Sequence, residues 1–520
     1  MPRKFCVFVP VFLALSALVV ASAEEGPVFH FTESPGPLAV GLKVVEQYDY
    51  ARTYRPAIDD LGKPYQGERA RPLQTLIWYP AQKSGGKPMT VGDYTALAAT
   101  ETSFGKPAPN AHFKDWIDGM KPTLAQPMWS VKDAPILPGR FPVVIYAPSF
   151  SAMSWENADL CEYLASHGYV VLASPDMGAM TREMTGDIRG IDAQAGDISF
   201  LIGYAQTLPD TDMSEVAVGG FSWGGISNLF AASRDNRIDA LFALDGSMRY
   251  YPGLVKQAEI HPEQMSLPLL YFTQGEISLE EAEGFAGEDK NPGPNVLNLW
   301  THGDLITVHD MALVHVEHSS MYQRNADTWK NFAAEEKGDY GREDGIAGYA
   351  WVARYTLHFL DAYLKHDADS MAWLKKTPIE NGAPKHLLTV NFRAAKGRPA
   401  TFETFRTELG KEGFDHAEEV YASMQKNKSD FKLDEGTVNS WGQSLIAGGH
   451  LPEAIDVLKL NVKNHPDSAD AYGNLGEAYA KAGEKQLAID NLKKALEKDP
   501  NNEDAKKKLK ELGETAEKFK

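Results

Sequence analysis

Between about residues 40 and 320, short apolar runs rich in Val, Ile, Leu and aromatic residues alternate with longer stretches of helical periodicity. The runs at 43–48, 73–79, 143–147, 169–173, 216–220, 240–244, 269–272 and 313–316 read as β-strands. The middle runs are apolar at nearly every position, as strands are when helices cover both faces of a sheet. The pattern predicts an α/β fold with a mostly parallel central sheet and flanking helices. Residues 92–138 and 250–265 show no regular period and are expected to form loops that shape substrate entry.

Near residue 400 the chain changes character and becomes helical and charged. Gly442 and Gly476, Gly449 and Gly483, Ala454 and Ala488, Leu458 and Leu492, and Pro466 and Pro500 are each separated by 34 residues. Small residues let paired helices approach, and each proline closes a unit before the next helix. The unit 469–502 resembles the tetratricopeptide repeat at Tyr472, Leu475, Gly476, Tyr479, Gly483, Ala488, Leu492, Ala495 and Pro500. The unit 435–468 departs from the pattern with Asn461 where a small residue is usual. Residues 503–519, with a Lys-rich face, read as a cap helix, and 402–426 as a degenerate first hairpin.

The amino terminus adds a third segment. Arg3 and Lys4, an apolar stretch from Phe5 to Val20, and Ala21-Ser22-Ala23 have the three parts of a cleavable signal peptide. The expected organisation is a signal peptide at 1–23, a catalytic domain at 24–398 and a helical repeat domain at 399–520. The mature chain is then exported, to the periplasm or the medium, with no stable membrane span. Loss of Cys6 with the signal leaves Cys161 as the remaining cysteine, which excludes an intrachain disulfide. A formal net charge of −19 argues against nucleic acid as a partner. The 43% apolar content suffices for a sizeable core.

Candidate chemistry centres on Gly220-Phe221-Ser222-Trp223-Gly224. A strand precedes Ser222 and a helix start follows it, which is the context of a nucleophile elbow. The glycines allow strand and helix to pass close beside the serine. Acyl transfer also needs two N–H donors for the developing oxyanion. The expected donors are the N–H groups of Trp223 and, in the loop 148–152, Phe150.

The stretches 141–152 and 164–175 resemble the platelet-activating factor acetylhydrolase and dienelactone hydrolase branch of the α/β-hydrolases. Bacterial polyester hydrolases of the cutinase type are similar in the same segments. Arg71 to Pro80, the stretch beginning at Asp197, and 359–365 agree, so the resemblance spans about residues 37–365. It departs where many relatives carry His-Gly in the oxyanion loop and this chain has Ser149. The resemblance implies an α/β-hydrolase fold and cleavage of carboxylic esters, with lactones, polyesters or short acyl esters as candidate substrates. No cofactor or metal is expected.

A serine nucleophile needs a base, and the base an orienting carboxylate, in the chain order Ser, Asp or Glu, His. Asp245, at the end of the run 240–244, is the expected acid, with Glu276 as the alternative and Asp304 as a third candidate. His318 is the expected base, because it follows an apparent alternating strand; His315 then points the other way and reads as structural. His302 and His309 are the other candidates. A different class of function is also open, in which the hydrolase fold is an idle scaffold and the repeats bind a protein partner.

Overall fold

The computed structural model describes residues 28–104, 116–274, 295–328, 330 and 337–514. The expected signal peptide and Glu276 lie outside the described residues. The chain divides into two compact units. The first comprises the described residues of Met1–Leu254, Leu270–Lys290 and Ile306–Phe392, and the second those of Val255–Leu269, Asn291–Leu305 and Arg393–Lys520. The compact helical unit thus begins at Arg393, six residues before the expected boundary, and also takes in two earlier segments.

Eleven strands form one sheet among the described residues. They are β1 (Ala39–Thr53), β2 (Ala70–Ala81), β3 (Pro88–Thr90), β4 (Pro127–Lys132), β5 (Phe141–Ala147), β6 (Val170–Ala173), β7 (Thr211–Phe221), β8 (Ala240–Leu244), β9 (Leu269–Gln274), β10 (Leu305–Asp310) and β11 (Leu388–Arg393). The order is β11-β10-β9-β8-β7-β5-β6-β2-β1-β4-β3. Parallel pairing joins β6, β5, β7 and β8, whereas β1 with β2 and β2 with β6 are antiparallel. β8 is buried along its whole length, and β5 at every position but its first, which explains their unbroken apolar pattern; β2 is buried throughout as well, with Arg71, Gln74 and Thr75 among its apolar residues.

After β5 the chain moves to β6 on one side and returns to β7 on the other. A crevice opens at such a reversal, outside the carboxyl ends of the strands. The register makes those ends level: Ala147 pairs with Gly220, and Phe221 with Leu244. The residues that follow β5, β7 and β8 therefore emerge side by side. Four helices that flank the sheet are α1 (Ala158–Ser166), α2 (Ile188–Ala205), α3 (Trp223–Ala232) and α4 (Arg342–Leu364). Asp187 caps α2 by accepting the Gly190 N–H, and Asp344 accepts the Gly341 N–H at the start of α4.

Two expectations change. Residues 313–316 are not a strand: the late strand is β10, eight residues earlier, and His315–His318 is a turn of 3₁₀ helix. The short apolar run before that turn is core packing by Leu313 and Val314, and periodicity alone does not separate the two. The irregular stretch after residue 90 likewise holds a short helix at Val91–Leu97 and the strand β4.

In the second unit the hairpins are α5 (Phe402–Glu412) with α6 (Ala417–Asn427), α7 (Glu435–Ala447) with α8 (Leu451–Asn464), and α9 (Ala469–Lys481) with α10 (Lys485–Lys498), followed by α11 (Glu503–Glu511). The 34-residue period is visible in atoms. A Cβ added at Gly442 would meet Leu458 at 2.6 Å, and one at Gly476 would meet Leu492 at 2.8 Å. Gly449 and Gly483 have φ of +80° and +83°, ending equivalent helices in a conformation glycine adopts without strain. Asp434, Ser468 and Asn502, also 34 apart, each cap a helix by accepting an N–H three residues on.

A buried ion pair ties β2 to α2. Arg71 donates through Nε and Nη2 to both oxygens of Asp197, at 2.6 Å each, and also to the carbonyls of Met177 and Gly178. Both side chains are almost fully buried. Asp197 Oδ1 also accepts from Arg52 Nη2 at 2.5 Å, so it is removal of Asp197 that would leave the buried Arg71 guanidinium without its counter-ion, a loss that typically costs about 3–5 kcal/mol. Asp197→Ala is expected to lower the denaturant-unfolding free energy by about that amount; a loss below about 1 kcal/mol would show that the pair is not anchoring β2.

Candidate active site

Ser222 follows β7 directly and has φ 52° and ψ −113°, a conformation unfavourable for a residue with a side chain. Its main chain is fixed from both directions. The Ser222 N–H donates to the Leu244 carbonyl at 3.0 Å, and its carbonyl accepts the N–H groups of Gly225 (3.0 Å) and Ser247 (2.7 Å). A Cβ at Gly220 would lie 2.4 Å from the Ala147 carbonyl oxygen, and one at Gly224 would lie 2.1 Å from it. Glycine at these positions lets β7 and α3 pass against the end of β5, which presents Oγ at the carboxyl edge of the sheet.

Asp245 leaves β8 at the matching level, also with positive φ (42°), and its N–H donates to the Phe272 carbonyl at 3.0 Å. His315 joins it to Ser222. Nδ1 of His315 lies 2.6 Å from Asp245 Oδ2, and Nε2 lies 2.9 Å from Ser222 Oγ. In that arrangement Nδ1–H donates to the carboxylate and Nε2 accepts the serine hydroxyl. The His315 N–H donates to Gln274 Oε1 at 2.7 Å, and the Phe221 ring packs 4.9 Å from the imidazole. Asp245 is fully buried, whereas the His315 side chain is 36% exposed, so the imidazole forms the wet edge of the group.

Burial opposes ionisation of Asp245, but the hydrogen bond and charge of His315, with smaller help from His318 and the Tyr250 hydroxyl, hold its pKa below the ordinary value. Tyr250 donates to Asp245 Oδ1 at 2.8 Å, leaving the other oxygen for His315.

The expected base, His318, does not reach Ser222. In a 3₁₀ turn residues three apart stack on one face. His315 faces the site and His318 lies beneath it, fully buried, with Nδ1 3.3 Å from the His315 carbonyl oxygen and Nε2 without a partner among the described residues. Burial pushes its pKa down to about 4, so it is a neutral packing residue near pH 7. A strand before it would place His318, and not His315, toward Ser222; the 3₁₀ turn places His315 there instead. Of the other candidates, His302 bonds the Gly397 carbonyl and Asp304 accepts the Ala395 N–H, both within the second unit. His309 lies on β10.

The loop after β5 lies across the elbow. Ser149 N–H donates to Glu156 Oε2 at 2.9 Å, and Ser151 N–H to Asp176 Oδ2 at 2.8 Å. Between them the Phe150 N–H has no acceptor among the described residues, and neither has that of Trp223 at the start of α3. The Phe150 and Trp223 rings meet edge to face at 5.4 Å, and Tyr251 meets Trp223 on its other side at 5.7 Å. Phe150 and Tyr251 are 41% and 46% exposed and form an apolar rim. Tyr250, Gln274, Glu156 and Asp176 have no signal in the sequence, since each contact is set by how the chain folds back on itself and not by a local pattern.

Residues 130–278 match the Dienelactone hydrolase family, a span that contains Phe150, Ser222 and Asp245 and ends before His315. Residues 469–502 match the Tetratricopeptide repeat. Comparison with curated proteins finds no match. Among solved structures, the chain is similar to a ferulic acid esterase from Streptomyces cinnamoneus, at 18% identity and a TM-score of 0.47 over 70% of this chain and 98% of that one. With its sheet order and its 34-residue helical period, this chain is a hydrolase-fold protein in which residues 130–278 match the Dienelactone hydrolase family and residues 469–502 the Tetratricopeptide repeat.

Proposed function

We propose that this protein is a serine hydrolase of carboxylic esters, with Ser222 as nucleophile, His315 as base and Asp245 as the orienting acid. The observation that carries the reading is the unbroken line of hydrogen bonds from Ser222 Oγ through His315 to buried Asp245. In the reaction, Oγ attacks the ester carbonyl as His315 Nε2 takes its proton. Asp245 stabilises the resulting imidazolium, and the Phe150 and Trp223 N–H groups take the oxyanion. His315 returns the proton to the departing alcohol, leaving an acyl-serine. Water, deprotonated by His315, releases the acid and restores Ser222. The Phe150–Trp223–Tyr251 rim favours apolar groups flanking the ester.

The proposal includes export, supported by the basic, apolar and small-residue segments of the first 23 residues. The repeats are proposed to contact a protein partner. Expression of the full chain with sequencing of the mature amino terminus is expected to read Glu24; a mature protein retaining Met1 in the cytosol would count against export.

With p-nitrophenyl esters and a fluorophosphonate probe, the wild type is expected to turn over and label, and Ser222→Ala to do neither. His315→Ala and Asp245→Asn are expected to lose about 10³-fold or more in kcat, whereas His318→Gln stays within about tenfold of wild type. An inert wild type would leave the fold as a scaffold for the repeats, and His318→Gln as damaging as His315→Ala would return the base to His318.

His318 is expected to report through stability. Its folded pKa lies below its ordinary value of 6.5, so the unfolded chain binds more protons between pH 6.5 and 4, and its contribution is lost as pH falls through that window. Glu156, Glu162 and Asp310, each pushed up to about 7 by burial, act in the opposite sense. The difference between wild type and His318→Gln therefore isolates the histidine. Wild type should lose about 3 kcal/mol more than the variant between pH 6.5 and 4; parallel unfolding curves would refute the buried neutral state.

A further inference from the structure

Glu156 is fully buried and takes no part in the proton transfers described above. Its carboxylate accepts the N–H of Ser149 at 2.9 Å, the Tyr146 hydroxyl at 3.1 Å and the Ser149 hydroxyl. Its main-chain carbonyl serves a different segment, accepting the Met321 N–H at 3.0 Å and the Ser319 hydroxyl at 3.1 Å. The next residue continues the same connection. Asn157 Nδ2 donates to the His318 carbonyl at 3.1 Å and to the Tyr146 hydroxyl oxygen at 2.5 Å, and its Oδ1 accepts the Ser320 N–H at 2.7 Å. One dipeptide thus holds both the loop that carries the Phe150 N–H and the turn that carries His315.

We propose that Glu156 is a positioning residue for ester hydrolysis, fixing the oxyanion donor of Phe150 relative to His315 by bridging their two loops. The proposal rests on the serine-hydrolase reading. Asp176 holds the far side of the same loop through the Ser151 N–H, so buried carboxyls take the amide protons on both sides of Phe150. An oxyanion donor acts at about 2.7–3.1 Å from the position of the charged oxygen, and a misplacement of about 1 Å can cost about 10²-fold in rate. Because the oxyanion exists only after attack, a loosened donor lowers kcat and leaves KM nearly unchanged.

The contacts require shape and acceptors more than charge. A glutamine at 156 can accept the Ser149 N–H and Tyr146 hydroxyl with its oxygen and donate its amide to Ser149 Oγ, which reverses one hydrogen bond without moving the loop. Alanine removes all of these side-chain contacts and leaves the main-chain bonds to the histidine turn. The geometry therefore separates the conservative from the disruptive substitution.

The experiment compares wild type, Glu156→Gln and Glu156→Ala as full chains. Initial rates on p-nitrophenyl butyrate are divided by the number of serines titrated to completion with a fluorophosphonate. For Glu156→Ala, kcat per titrated serine is expected to fall about 100-fold with KM within about threefold of wild type. Glu156→Gln is expected to recover to within about fivefold. A kcat for Glu156→Ala within about threefold of wild type, a loss confined to KM, or a Glu156→Gln as impaired as Glu156→Ala would each overturn the proposal. If Glu156→Ala fails to fold, Ser149→Ala removes one of the bonds without opening a cavity at 156. It is expected to lose about five- to tenfold in kcat at unchanged KM, and an unchanged kcat would overturn the proposal. An inert, unlabelled wild type would refute the serine-hydrolase reading itself, before any variant is compared.

Discussion

Ser222 holds its side chain at the edge of the sheet because its backbone is kept in a region that residues with a Cβ avoid, at a cost of about 1–3 kcal/mol. The opposing force is local and directional. Leu244 accepts its amide, Ser247 and Gly225 donate to its carbonyl, and glycines 220 and 224 lie against the Ala147 carbonyl. Those partners are in place only because β5, β7 and β8 end at one level. The register of three parallel strands is therefore the condition on which the turn at Ser222, the Asp245 carboxyl beside it and the loop across it all depend.

Buried carboxyls around this edge have different fates. Burial opposes ionisation in every case, and the outcome follows from the donors available. Asp245 has an imidazole and a phenol and is held below its ordinary pKa. Glu156, with hydroxyl and amide donors but no bonded cation, rises to about 7, and Asp176, whose Oδ1 has no hydrogen-bond partner, is raised well above its ordinary value. The group bonded to the histidine is thus the one kept charged, and the carboxyls that hold loops can carry a proton without losing their grip.

Much of this arrangement is legible in the amino-acid sequence. The strands from 73 to 272, the sharp turn at Ser222, the placing of Asp245 at the end of a strand and the 34-residue period all rest on local patterns: continuous apolar runs, paired glycines and fixed spacing. His315 was not legible, because choosing between it and His318 required the type of local structure, and an apolar run four residues long fits a strand, a turn or core packing. The spacing of three was the available signal, since it suits one face of a 3₁₀ turn. Tyr250, Gln274 and Glu156 lay further out of reach. Gln274 and Glu156 meet partners 41 and 163 residues away, a relation set by tertiary folding, and Tyr250 reaches Asp245 only through the bend between them.

Asn461 shows how one polar atom can give identity to a repeated architecture. Where the equivalent position of the next unit is Ala495, Asn461 is buried and donates to the Glu435 carbonyl at 3.1 Å and to Asn439 Oδ1 at 2.8 Å. An apolar contact tolerates a sliding or exchanged neighbour, whereas a buried amide nitrogen meets both of these acceptors in one alignment of its two helices. The two hairpins therefore share a period without being interchangeable parts. The array reads as an ordered series, in which each unit has an address.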